Sequence, residues 1–259
     1  MRFIVAVKQV PDTFSVSVDE DGNLDRKGVP SVLNPYCETA LMTAVGMKGE
    51  GDEVIAVTMG PPQAESALRR CMEFGADKAY LLTDPAFAGA DVWATSRALN
   101  AFFCRYCCDA DLFLFGRQTI DGDTGQVPAE VAQMMGVQQF YYVSEVVRDG
   151  DGFTVSQDYG DSLRRCRVPR GSVISMDSVD PNGHFPSATQ FLDAMDREIV
   201  VLDRVALGLG LYSVGNKGSN TRIISTTTVN PSRRNRKVMI RDPSVAAGVL
   251  MDELGVSNE

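Results

Sequence analysis

Four short runs of apolar and β-branched residues, each followed by a helix-period pattern, confine this chain to a mostly parallel sheet covered by helices. The runs are residues 3–7, 54–57, 79–82 and 112–115. Repeated βα units with right-handed crossovers bring the loops that follow the strands to one edge of the sheet. Loops 8–13, 58–61 and 116–126 carry the small and polar residues, and that edge is where a doubly wound sheet collects its ligand contacts.

The intervening helices are legible from spacing. Asn34 suits an N-cap and Pro35 the first helical position, and Cys37, Ala40, Leu41, Ala44 and Val45 share one face. The Asn34 amide could instead be aimed at a ligand; for a lone residue, capping is the expected role. The second helix buries Ala64, Ala67, Leu68, Cys71 and Met72, and Gly75 ends it. The third covers about 91–107, with Leu99, Phe102, Phe103 and Tyr106 clustered and Trp93 expected to pack. The fourth carries Val127, Val131, Met134 and Met135 on one side and stops at Gly136.

Between the last run and the fourth helix stands Gly116-Arg117-Gln118-Thr119-Ile120-Asp121-Gly122-Asp123-Thr124-Gly125-Gln126-Val127. A strand that turns through glycines into a helix leaves unpaired amides at the helix start, where the helix dipole adds partial positive charge. Such an end suits a phosphate or another anion. Thr124 and Gln126 offer side-chain donors, and Gly125 lets a ligand approach the backbone. The plainer alternative is an ordinary loop with Asp123 or Thr124 as N-cap.

The pattern changes after residue 138. Segments 139–147, 153–157, 163–168 and 172–176 look like strands joined by Asp/Gly turns, an antiparallel extension or a return into the sheet. Residues 15–29 suggest a hairpin excursion around Asp21-Gly22-Asn23, and Asp180-Pro181-Asn182-Gly183 is a strong turn. The expected division is a nucleotide-binding domain over 1–183 and a C-terminal arm over 184–259. In the arm we expect a short helix near 187–195, strands at 199–202 and 222–229, and a glycine-rich stretch at 208–220. A final helix has Asp242 as N-cap, Pro243 at its start and Gly255 as its stop. The basic cluster 232–237 reads as a solvated loop or as a contact for an acidic partner surface.

Several functions are disfavoured. A net charge of -9 argues against a broad nucleic-acid footprint. No run approaches the roughly 18 apolar residues of a membrane span. The apolar start passes into Lys8 and Gln9 too soon for a signal peptide, so a cytoplasmic chain with reduced thiols is expected. Cys104, Cys107 and Cys108 lack a fourth metal ligand nearby and read as buried free thiols on a helix. No Gly-x-Gly-x-x-Gly follows the first run, no phosphate-binding Gly-x-x-x-x-Gly-Lys loop or Gly-x-Ser-x-Gly is present, and a His-based site would rest on His184 alone. Asp121 and Asp123 could bind a metal, but capping or hydrogen bonding to ribose or adenine suits them better.

These residues together resemble the β subunit of electron transfer flavoproteins. The likeness is carried by Val5-Ala6-Val7-Lys8-Gln9-Val10-Pro11-Asp12, Asn34-Pro35-Tyr36-Cys37-Glu38, the stretch from Val54 to Pro61, Phe74-Gly75-Ala76-Asp77, and the run from Gly116 through Gln126. The resemblance implies a Rossmann-like doubly wound α/β fold of the adenine nucleotide alpha-hydrolase-like kind. It implies a heterodimer whose α subunit carries the redox FAD and on which the C-terminal arm docks. It implies a bound adenine nucleotide: AMP as a structural ligand in one branch, a second FAD in the bifurcating branch, where NADH is the electron donor. The family's binding residues carry over to Ala6, Asn34, Pro35, Tyr36, Cys37, Met59 and the stretch from Asp121 to Ala132. Lys8, Asp12, Thr58 and Gly60 join them from the same loops. Thr124, Gly125, Gln126 and Val127 would hold the phosphates, with Asp121, Gly122 and Asp123 leading in.

The compact turn from Asp121 to Val127 and the Lys8-to-Thr13 loop are similar to the bifurcating or nitrogen-fixation-type branch, which favours FAD over AMP. One departure is plain. The segment 184–199, which in the family recognises partner dehydrogenases through a lysine-bearing core, is here acidic and without lysine. The identity of the partner dehydrogenase or reductase is therefore open. Two other classes fit the same fold: an ATP-using enzyme, and a regulatory module resembling universal stress proteins.

Overall fold

The computed structural model describes residues 1–12, 17–18, 24–25, 30–177, 185–221 and 242–253. The chain falls into two units, Met1–Ile224 and Ser225–Glu259. The first opens with β1 (Arg2–Ala6), β2 (Gln9–Pro11), β3 (Ser17–Val18), β4 (Leu24–Asp25), β5 (Ser31–Leu33) and α1 (Pro35–Met47). Next come β6 (Glu53–Met59), α2 (Glu65–Glu73), β7 (Lys78–Leu82), α3 (Val92–Tyr106), β8 (Leu112–Gly116) and α4 (Val127–Met135). The chain then forms β9 (Gln139–Asp149), β10 (Gly152–Asp158), β11 (Leu163–Val168), β12 (Ser172–Met176), α5 (Ala188–Asp196), β13 (Ile199–Leu202) and the short α6 (Gly215–Gly218). In the second unit the described residues form α7 (Pro243–Glu253), where Asp242 Oδ1 accepts from the Ser244 amide as an N-cap should.

Nine strands form one sheet in the order β11-β10-β9-β12-β8-β1-β6-β7-β13. From β12 to β13 every neighbour pair is parallel, and only the β9–β10–β11 meander is antiparallel. Both alternatives expected for residues 139–176 are therefore realised: an antiparallel extension, then a return as β12 beside β8. The chain travels outward from β1 through β6 to β7, then crosses back to place β8 on the other side of β1. That reversal opens a crevice between the loops after β1 and β8, the position where open α/β sheets bind ligands.

Alternation along β1 divides the core. Phe3, Val5 and Val7 join the cluster under α1 and α2, while Ile4 and Ala6 join Phe102, Phe103 and Val131 under α3 and α4. Burial on both faces is why the parallel strands read as unbroken apolar runs. Three rings lock the second cluster: Phe103 lies 4.8 Å from Phe113 and 6.1 Å from Phe115.

Residues expected in the C-terminal arm are built into the first unit. β13 adds to the sheet beside β7, and Arg69 of α2 donates from Nη1 to the carbonyls of Ala194 (2.8 Å) and Arg197 (2.6 Å). The compact unit thus runs past the expected 183/184 boundary to Ile224. Two packing expectations change. Of Cys104, Cys107 and Cys108 only Cys107 is buried, because α3 ends at Tyr106 and its neighbours point outward. Trp93 stands 38% exposed in the first turn of α3. Strand 222–229, the turn at 180–183, His184, cluster 232–237 and Gly255 lie outside the described residues.

Phe103→Ala removes a fully buried ring from a three-ring contact and is expected to cost about 3–5 kcal/mol of unfolding free energy, read by denaturant titration. A loss below about 1 kcal/mol would mean that this cluster does not hold the helices to the sheet.

Candidate functional site

The loops at the crevice are tied to one another. Val7 N–H bonds Val57 O at 2.8 Å, continuing the β1–β6 ladder past the strand end, and Asn34 N–H bonds Lys8 O at 3.0 Å. Lys8 Nζ reaches across to both Asp121 carboxylate oxygens, at 2.7 and 2.9 Å. Gln9 Nε2 donates to Ser66 Oγ and to Gln63 O in the segment after β6. Burial opposes ionisation of Asp121, but the Lys8 ammonium and the Thr119 hydroxyl outweigh it and hold its carboxyl below the usual value.

Asn34 departs from its expected role. It is the N-cap residue of α1, yet its side chain makes no capping bond. It is fully buried and spans to the central loop instead: Nδ2 donates to Gln118 O at 2.9 Å, and Oδ1 accepts from Ile120 N–H at 3.1 Å. This amide is bidentate to the loop backbone, a task that a capping serine is too short to perform. The same contact depends on Gly116. A Cβ there would lie 2.6 Å from the Tyr36 carbonyl carbon and 2.7 Å from Cys37 N, so any side chain would push α1 off β8. Burial pushes the Cys37 thiol up despite the bond from Asn34, so it remains a neutral wall atom.

The turn into α4 also differs in detail. The N-cap is Gln126, not Asp123 or Thr124, and no side chain caps the helix. Asp123 is held in the left-handed region (φ 52°) with its N–H on Thr119 O, which turns it away from the helix start. Gly125 is left-handed too (φ 62°). Pro128 lacks an N–H, so Val127 and Ala129 supply the outward first-turn amides that no side chain caps.

Five side chains carry a buried polar atom with no partner among the described residues: Thr58, Ser96, Glu130, Tyr141 and Ser175. Ser96 belongs to α3. Of the other four, Ser175 near the end of β12, Tyr141 early in β9 and Glu130 in the first turn of α4 lie on the α4 side of the strand tips, whereas Thr58, near the end of β6, faces the α1 and α2 side. The Tyr141 hydroxyl and Ser175 Oγ are neighbours but form no well-made bond, and burial pushes the phenol up to about 12. A Cβ on Gly125 would lie 4.0 Å from that phenol oxygen.

The structure therefore brings together Ala6, Lys8, Asn34, Pro35, Tyr36, Cys37, Thr58, Met59, Gly60 and the loop from Gly116 to Val127. Asp12 sits just past β2 with its N–H on Pro30 O, at the far side of the β2–β5 ladder. Sequence reasoning passed over Tyr141 and Ser175, which periodicity assigns to ordinary strand positions, whereas Glu130 lies within the stretch from Asp121 to Ala132 named above. A separate concavity of about 540 Å³ lies beyond β7 and β13, lined by Asp84, Arg204, Asn216 and Lys217 among others, and holds none of the predicted residues. Among the described residues no three His, Cys, Asp or Glu side chains are placed to hold a metal, and no helix is long and apolar enough to cross a membrane.

A model of the electron transfer flavoprotein domain matches residues 21–182. The chain is 37% identical to the caffeyl-CoA reductase-Etf complex subunit CarD of Acetobacterium woodii, over 98% of each chain. It is 37% identical to an electron transfer flavoprotein subunit beta of Thermoanaerobacterium thermosaccharolyticum, over 90% of each. It is 43% identical to protein FixA of Azorhizobium caulinodans, over 95% of this chain and 90% of that protein. The fold and these matches define a doubly wound α/β protein. Within that class, the chain belongs to the electron transfer flavoprotein family and is of its β-subunit type.

Two outcomes follow from the loop anchors. Asn34→Ala leaves Gln118 O and Ile120 N–H without partners, with an expected loss of about 1–3 kcal/mol and faster hydrogen exchange at residues 118–121; unchanged exchange there would remove Asn34 as the anchor. Lys8→Gln is expected to move the Asp121 carboxyl up, read by carbon-detected NMR titration. Because the folded value lies below the unfolded one, the pair stabilises above the unfolded value and its contribution of about 0.2–1 kcal/mol fades as pH falls through the folded value. A carboxyl that does not move would mean that the ion pair is not formed in solution.

Proposed function

We propose that this chain binds an adenine nucleotide across the β1/β8 crevice and works as the β subunit of a heterodimeric electron transfer flavoprotein. The observation that carries the reading is the set of unpartnered buried polar atoms on Glu130, Tyr141 and Ser175 at the strand tips, beside an uncapped helix start. Buried polar groups are ordinarily satisfied, so a cluster of orphans marks a place where a ligand supplies the partners. The amides of Thr124 to Val127 meet the phosphates and Gly125 lets them approach, while α4 contributes its dipole. Asn34, Pro35, Tyr36 and Cys37 form one wall, and the loops from Ala6 to Asp12 and from Thr58 to Gly60 hold the adenosine or flavin end. Lys8 neutralises Asp121, which removes a carboxylate that would otherwise repel the anion.

We take the nucleotide to be FAD rather than AMP, and the chain to pass electrons between a donor, NADH in the bifurcating reading, and a partner dehydrogenase or reductase. When bound, FAD supplies the electron-accepting and electron-releasing chemistry; the chain's own residues bind it, orient it and limit water around it. The name of the CarD relative places that protein in a complex with a CoA reductase, which supports a reductase partner here. A second FAD resides on the α subunit in this reading. The described parts of 184–259 offer apolar groups for docking: Phe185 (87% exposed), Leu192 and Met195 stand outward in the first unit, and separately Val245 and Leu250 in the second. Apolar groups left exposed in such number mark protein contacts.

The test is a count. The chain is purified with its α subunit, the nucleotides are released by denaturation, and FAD and AMP are quantified. Two FAD per heterodimer is the expected result. One FAD with one AMP would sink the FAD assignment but keep the nucleotide site. A colourless, nucleotide-free chain that needs no companion would sink the whole reading.

A further inference from the structure

The first half of β9 is irregular. Against β12 its register runs Ile174↔Phe140 and then Met176↔Val143, so Ser175 alone faces both Tyr141 and Tyr142. This is a β-bulge, and bulges re-aim side chains next to sites. Tyr142 carries φ 54°, the left-handed region that a bulky side chain rarely adopts. Past this point β9 leaves β12, pairs only with β10, and ends where Arg148 bonds Asp52 just before β6 (2.5 Å). The strand therefore turns a corner at Tyr142. A glycine would make that corner without strain, so the backbone alone does not account for a tyrosine there.

The surroundings show what the ring is doing. Tyr142 is 38% exposed and belongs to neither core cluster. The Arg117 guanidinium stands 5.2 Å from its ring centroid, and Tyr159 lies 5.8 Å away, edge to face. Arg117 is itself held by Asp177 at 2.6 Å, and its backbone N–H bonds Met176 O at 2.8 Å. The buried Gln157 amide donates to Tyr141 O at 2.7 Å, and Asp177 N–H bonds Val143 O at 2.9 Å. Thus several part-buried bonds fix a corner whose product is a partly exposed aromatic ring with a cation over one face. Strain maintained in this way is a feature of binding sites.

Sheet order gives the platform its place. The tips run β9-β12-β8-β1-β6, and the phosphate-binding turn follows β8, between the two ends of that row. A nucleotide whose adenosine lies over β1 and β6 and whose phosphate meets the turn points its far end at β12 and β9. From β6 to β9 is four strand spacings, roughly 19 Å at about 4.8 Å each, a span that a mononucleotide leaves half empty.

We propose that the β9 corner is the distal subsite for a dinucleotide: Tyr142 is the stacking face for the planar ring system of FAD, Arg117 lies beside its second phosphate, and the Tyr141 hydroxyl faces the turn at Gly125. This rests on the nucleotide reading given above, and it adds the residues by which the chain tells FAD from AMP. Base-sized rings stacked on tyrosine and flanked by arginine are a recurrent means of holding planar ligands without reading their edges.

The heterodimer, stripped of its exchangeable nucleotide, is titrated with AMP and, separately, with FAD. The FAD uptake displaced by excess AMP is assigned to this chain, which excludes the flavin of the partner subunit. Three proteins are compared: wild type, Tyr142→Ala and Tyr142→Gly. The expected result is at least a tenfold loss of FAD affinity in both variants, AMP affinity within twofold of wild type, and a raised melting temperature for Tyr142→Gly. Unchanged FAD affinity in both folded variants would overturn the subsite and leave the nucleotide site standing. Equal loss of AMP and FAD would also overturn it, since the residue would then support the turn rather than the ring. A wild-type heterodimer that takes AMP but refuses FAD overturns it as well. Binding of neither nucleotide would instead remove the reading on which it rests.

Discussion

The first turn of α1 packs against the end of β8 so closely that no side chain fits at Gly116, and the arrangement of the crevice follows from that contact. With the helix this near, the buried amide of Asn34 can reach the loop after β8 and hold it by Gln118 O and Ile120 N–H. The loop so held delivers Asp121 to Lys8, which joins the strand ends on either side of the crevice. Its remaining residues can then turn through Asp123 and Gly125 into a helix whose start is left open. A substituent of one methyl group at residue 116 would separate the elements that make every one of these contacts.

Electrostatics at this edge are arranged in closed pairs. Lys8 is taken by Asp121 and Arg117 by Asp177, so both of these cations are paired at the crevice. At the turn into α4, attraction for an anion then comes from fixed dipoles, the helix's first-turn amides. Such dipoles are already oriented and need no rearrangement when the anion arrives.

How much of this was legible beforehand depends on the length scale of the cause. The βα runs of residues 3–7, 54–57, 79–82 and 112–115 showed themselves because burial on both sheet faces writes continuous apolar sequence, and the loops after them were correctly gathered to one edge by chirality alone. The Asn34 side chain could not be read, since a capping bond is local whereas its real partners lie 84 and 86 residues away. Gln126 as N-cap was hidden because left-handed geometry at Asp123 and Gly125 decides where α4 starts, and neither residue announces that geometry. The corner in β9 was hidden for a like reason: Phe140-Tyr141-Tyr142-Val143 is an unremarkable strand sequence, and the extra residue exists only relative to β12. The attachment of α5 is not legible either, because Arg69, which bonds the carbonyls of Ala194 and Arg197, is remote in sequence.

The two edges of the sheet differ in a way that bears on which one is functional. At the edge where the parallel strands begin, Arg2 bonds Glu53, Lys78 bonds the same carboxylate, Arg170 bonds Asp111 and Arg148 bonds Asp52. Those pairs satisfy charged groups at the strand starts with the protein's own atoms. At the opposite edge, hydroxyls of Thr58, Tyr141 and Ser175 and a carboxylate oxygen of Glu130 are buried without partners. Leaving one such group unpaired costs on the order of 1–3 kcal/mol, and four together would consume much of a typical domain's stability. A chain that closes its polar accounts so fully at one edge has the means to close them at the other. That it does not is the physical reason to expect the missing partners from a bound molecule.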